Sequence, residues 1–162
     1  MRFAPDAESE KLREEAVRAA AEICAPEAAR RDETRAFPRE EIRRLGTGGW
    51  LGMYERDRFA TGLAIAELSR ACASIGLLVG FHNLLVCDGI ARSGTQEARE
   101  SFLPRLTKGD LLGAVALSDP ATTRPGEEPA QAVLTDEGYR LRGTKPFVPG
   151  AVGADLFLVY AY

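Results

Sequence analysis

Between residues 7 and 24 the apolar side chains recur three and four positions apart, at Leu12, Ala16, Val17, Ala20 and Ile23, with charges between them. That spacing gathers them on one face of an amphipathic helix. Asp6 stands where an N-cap is needed, Glu8 and Glu10 occupy the first turn, and Pro26 predicts a stop near Cys24. A second helix is expected to open at Pro38 and to run through "PREEIRRL" to the glycines at 46, 48 and 49. A third covers residues 61–73 or 62–73, and a fourth residues 74–93. The fourth is apolar on nearly every side from Ile75 to Val86, the mark of a buried helix. A bilayer span needs about 20 unbroken apolar residues. His82, Asn83 and Asp88 interrupt this helix, so no membrane span is expected. Thr95 caps a fifth helix, "QEARESFL", expected to end before Pro104.

After Gly109 the period changes. "LLGAVALS" (111–118) reads as a buried strand. "QAVLTDEGYRLRGTKPFV" (131–148) alternates around Asp136-Glu137-Gly138 and reads as a hairpin, and "ADLFLVYAY" (154–162) as a further strand. The expected fold class is α+β: an all-α helical domain over residues 1–108, then a partial antiparallel β domain over 109–162. A few short strands rarely complete a sheet, so the β unit reads as cut off.

Composition narrows the field. In 162 residues, 45% apolar, a core can form; the net charge of −3 and the lack of a basic patch interleaved with aromatics argue against nucleic acid as the main partner. The first 23 residues are rich in Glu and lack an apolar segment, so neither a secretory signal nor a transit peptide is expected. Cys24, Cys72 and Cys87 are widely spaced and His82 is the single histidine, which argues against a zinc site or a Cys–His nucleophile. Reduced thiols in a cytoplasm fit best.

Candidate chemistry is sparse. "GTGGW" (46–50) follows a helix rather than a strand and reads as a helix stop, not a phosphate cradle. His82 and Asn83 form a polar pair in the buried helix, expected to be satisfied by neighbouring backbone or water rather than by a ligand. "ALSDP" (116–120) and "GTKPFVPG" (143–150) are better candidates, each setting a strand against a turn with backbone donors among small residues.

Taken in order, "GGWLGM" (48–53), "AELSRACASIGLLVGFHN" (66–83), "GTQEARESFLPRLTKGDLLGAVALSDP" (94–120), "GYRLRGTKPFV" (138–148) and "ADLFLVYA" (154–161) resemble the acyl-CoA dehydrogenase family. The helical half is similar to that family's N-terminal domain and the strands to the start of its middle β domain. The resemblance implies FAD, with Val115, Ala116, Leu117 and Ser118 lining the flavin ring, and Phe147, Val148 and Pro149 as the second contact. Thr122 and Thr123 fall where the family's turn serves the cofactor's pyrophosphate and the thioester end of the substrate. It further implies removal of the α-proton of an acyl-CoA thioester and passage of hydride from its β-carbon to the flavin, giving a 2,3-enoyl-CoA. An electron-accepting flavoprotein and a homo- or hetero-oligomer with an acyl-CoA dehydrogenase-like chain are the implied partners.

The departures from the family's pattern matter. "PATTRPGEE" has lost the glycines of the family's turn, Pro149 offers neither hydroxyl nor N–H, and the connection through "GGWLGMYERDRFATG" is roughly ten residues short, where a tight helix–helix loop takes about 2–8. The catalytic carboxylate of the family resides in a C-terminal helical domain that these residues lack, so no catalytic residue is assigned. The chain is expected to be inactive alone and to need a missing C-terminal region or a partner subunit. The alternative is a catalytically degenerate scaffold or interaction subunit, and a related flavoenzyme using oxygen or a nitro compound also remains open.

Overall fold

The computed structural model describes residues 4–119 and 128–162. Helix α1 (Ala7–Ala19) begins where Asp6 accepts the N–H of Ser9 at 2.9 Å, and it widens into a π turn over Ala20–Cys24. A short helix that the apolar pattern did not announce, α2 (Ala28–Thr34), follows. Its buried side chain is Arg31, which pairs with Glu41 and donates to the carbonyl of Cys24 at 2.7 Å. Helix α3 (Arg39–Thr47) ends in the "GTGGW" stop: Gly49 takes φ +83° and Trp50 donates back to the carbonyl of Leu45 at 2.9 Å. A 3₁₀ turn at Met53–Glu55 leads to α4 (Arg58–Ala71), which starts earlier than expected because Asp57 accepts the N–H of Ala60 at 2.9 Å.

Cys72 is extended and separates α4 from α5 (Ala73–Phe81). The chain then continues helically through a π turn, His82–Cys87, into α6 (Asp88–Ser93). Residues 73–93 are long and apolar enough to cross a membrane, yet half of that window is buried inside the fold. Thr95 caps α7 (Gln96–Lys108), which does not end before Pro104 but runs through it to Gly109 at φ +80°. Beyond the proline, burial of Leu106 and the left-handed glycine cap sustain the last turn.

The helices bury one apolar cluster around Leu45, Leu51, Leu68, Ile75 and Val79. A second cluster, with Val86, Cys87, Ile90 and Leu106, takes in Val115 of the first strand. Strand β1 (Gly113–Ala116) is buried throughout and pairs with β4 (Leu156–Val159), Gly113 opposite Leu156 and Ala116 opposite Val159. The helical domain followed by a partial β unit is as expected, but this pair is parallel, not antiparallel. Nearly forty residues of sequence separate the two strands, enough chain for the second to run in the same direction as the first. Among the described residues, β2 (Gln131–Thr135) and β3 (Gly138–Arg142) are the strands that pair antiparallel, as the hairpin predicted. The end of the chain extends that hairpin, Tyr162 exchanging hydrogen bonds with Ala130 and Ala132 at 2.9 and 2.7 Å.

Candidate functional site

Two segments singled out in the sequence lie side by side. The ammonium of Lys145 donates to the carbonyl of Leu117 at 3.2 Å and to Oδ1 of Asp119 at 2.7 Å. The same Asp119 oxygen accepts the N–H of Ala130 at 2.9 Å. The C-terminal end of β1, the start of β2 and the turn after β3 therefore meet at one ion pair. These bonds, first the backbone N–H of Ala130 and then Lys145, hold the Asp119 carboxyl below the usual carboxylate range.

The predicted cofactor residues divide. Val115 and Ala116 are buried at 4% exposure each, Val115 within the second apolar cluster, so neither side chain is open to a ligand. Leu117 is exposed and Ser118 half-buried at the open end of the strand. Phe147 stands 79% exposed at φ +54°, a left-handed conformation that a bulky aromatic residue seldom adopts. Val148 and Pro149 do not share the Phe147 exposure; they line a cavity on the helical side of the same turn. Thr122 and Thr123 lie outside the described residues.

That cavity holds about 720 Å³. Phe37, Cys72, Leu77 and Leu78 give it an apolar wall, and Arg31 and Arg35 approach from α2 and its end. The turn packs tightly on it: a Cβ at Gly150 would come within 2.7 Å of Leu78, and one at Gly153 would collide with the Phe37 ring. Arg39 holds this turn from below, donating to the carbonyl of Gly153 at 2.6 Å and pairing with Asp155 at 3.2 Å. Asp155 in turn accepts the N–H of Leu112, immediately before β1, at 2.9 Å. Asp32 is the one carboxylate among the described lining residues, and it is exposed.

The polar pair in the buried helix is structural, as the sequence implied. Asn83 accepts the N–H of Met53 at 2.7 Å and donates to the carbonyls of Trp50 and Val79 at 2.8 and 3.0 Å. His82 is fully buried between Leu106 and Gly113, and burial pushes its imidazole down to about 4. Burial also pushes the Cys24 and Cys87 thiols up, to about 11 and about 12, which leaves them unreactive. Lys145 and the cavity escaped the sequence reading. The one available signal was a lysine placed between a strand and a proline, in "GTKP".

A family model described as "Acyl-CoA dehydrogenase, N-terminal domain" matches residues 6–110. The short-chain specific acyl-CoA dehydrogenase of Clostridium acetobutylicum is 32% identical over 145 residues, covering 84% of this chain and 38% of that protein. Butyryl-CoA dehydrogenase of Megasphaera elsdenii superposes with a TM-score of 0.87 at 27% identity, over 99% of this chain and 45% of that one. A chain from a structure described as the electron transferring flavoprotein of Acidaminococcus fermentans superposes with a TM-score of 0.89 at 26% identity, over 99% and 45%. The chain thus spans less than half the length of the relatives it matches.

Proposed function

We propose, from the premise that the chain belongs to the acyl-CoA dehydrogenase family, that it supplies one wall of a site for FAD-dependent α,β-dehydrogenation of an acyl-CoA thioester. The observation that carries this reading is the Lys145 junction, which sets the exposed end of β1 beside the Phe147 turn. FAD, when bound, supplies the hydride acceptor. The residues present fit it on one edge: the half-buried Ser118 hydroxyl is a donor, the backbone at Leu117 and Ser118 is at an open strand end, and Phe147 offers an aromatic face to solvent. The cavity between Leu77, Leu78, Val148 and Pro149 is of a size and polarity to take the acyl chain. Thr122 and Thr123 are retained as substrate contacts.

The helical part, 1–108, and the β part, 109–162, act as the two walls of this cleft. The remaining cofactor contacts and the base for the α-proton would come from a further region of the protein or from an acyl-CoA dehydrogenase-like partner subunit, and an electron-accepting flavoprotein would be the partner for the reduced cofactor. Three free thiols suit a reducing compartment such as the cytoplasm.

A second reading, a catalytically reduced scaffold subunit, draws on two observations. Pro149 has no N–H to offer, and the single carboxylate among the described cavity residues is exposed rather than held for proton transfer. Purifying the chain alone and together with an acyl-CoA dehydrogenase-like partner, and measuring retained flavin absorbance, separates the two. Flavin retained and bleached by butyryl-CoA supports the enzyme. A stable complex without flavin supports the scaffold. Neither flavin nor complex overturns both.

A further inference from the structure

The side chain of Lys145 is only 9% exposed and that of Asp119 only 14%. A buried ammonium is costly unless its partners are held in place. Here three separated stretches converge on one ion pair: Leu117–Asp119, Ala130 and Lys145 itself. Between them the β2–β3 hairpin is largely exposed on both faces, with Leu134 and Tyr139 at 71% and 72% exposure. Apolar packing from the hairpin therefore does not fix where the start of the turn after β3 sits against β1; the polar junction ties that start to the strand end, while Arg39 and the close contacts of Gly150 and Gly153 hold the later part of the turn.

We infer that Lys145 is a positioning residue: it sets the spacing between the open end of β1 at Leu117 and Ser118 and the turn that carries Phe147, the spacing against which the cofactor's ring edge fits. This rests on the flavin reading above. Asp119 completes the junction by tying Lys145 to the N–H of Ala130. Without the ammonium, the end of β1 and the turn after β3 remain joined through the backbone but lose this tie, so a ligand must order them as it binds.

The test compares the wild-type chain with Lys145→Met and with the double variant Lys145→Met/Asp119→Asn, which removes both charges and keeps an oxygen for Ala130. FAD binding is followed by flavin fluorescence, and the visible circular dichroism of the bound flavin reports its surroundings in the folded fraction alone. Both variants are expected to bind FAD about tenfold more weakly or worse, the scale of one charge-assisted hydrogen bond, and to show an altered dichroism band. If Lys145→Met fails to fold, the double variant carries the comparison. Wild-type affinity together with an unchanged band in the variants overturns this inference while leaving the flavin reading intact. A wild-type chain that binds no FAD, alone or with a dehydrogenase-like partner, overturns the flavin reading and this inference with it.

Discussion

Gly113 donates its backbone N–H to Nδ1 of His82 at 3.2 Å, joining the first residue of the buried strand to the centre of the buried helix. Because Nδ1 accepts, the proton of the neutral ring is on Nε2, which faces the carbonyl of Leu106 at 3.2 Å. One imidazole thus ties α7, the π turn after α5 and β1 into a single unit.

This arrangement makes stability depend on pH. The folded-state value of His82 lies at about 4, below the ordinary 6.5. The unfolded chain therefore binds more protons in that window, and stability is fully present above about pH 6.5 and is lost as pH falls toward 4. The slope reaches at most about 1.4 kcal/mol per pH unit for one proton. Urea unfolding at pH steps between 4 and 8 is expected to show it, and His82→Gln to flatten it. A wild-type profile that is level across the window would contradict the assignment.

Asn83→Ala strands the buried N–H of Met53 and the carbonyl of Trp50 together. A loss of about 2–4 kcal/mol is expected, because each stranded group carries its own desolvation cost. Chemical denaturation of the purified variant measures it.

Two glycines should respond in opposite senses to the same substitution. Gly46 in α3 lies so close to Gly109 that a Cβ would stand 2.7 Å from its Cα, so Gly46→Ala is expected to cost about 1–3 kcal/mol. Gly62 in α4 has nothing within 4 Å of that position and is exposed, so Gly62→Ala is expected to stabilise by about 0.5–1 kcal/mol. Paired thermal melts decide the matter.

Ser118→Ala tests the cofactor edge directly. If the hydroxyl donates to bound flavin, FAD affinity falls by about 1 kcal/mol, roughly fivefold, with the melting temperature of the apo chain unchanged. Equal affinities of the two proteins would remove Ser118 from the site.

What the chain's letters determine by themselves is local. The three- and four-residue spacing around Leu12 and Ala16, the caps at Asp6 and Thr95, and the turn at Gly138 each act within a few residues, and each is found where it was read. The burial of His82 and Asn83 was legible for the same reason, since a helix apolar all round must be covered. Ordered segments over nearly the whole length also carried the family resemblance. Only the tertiary structure decided the rest. Helix α2 has no apolar stripe because its anchor is Arg31, whose partners lie seven residues before it and ten after. The helix passes Pro104 because the core beyond it holds Leu106. The parallel pairing of β1 with β4 joins strands separated by nearly forty residues, and Lys145 meets Leu117 and Asp119 from 28 and 26 residues away. Periodicity constrains neighbours along the chain; it carries no information about which distant backbone a strand edge or an ammonium will find.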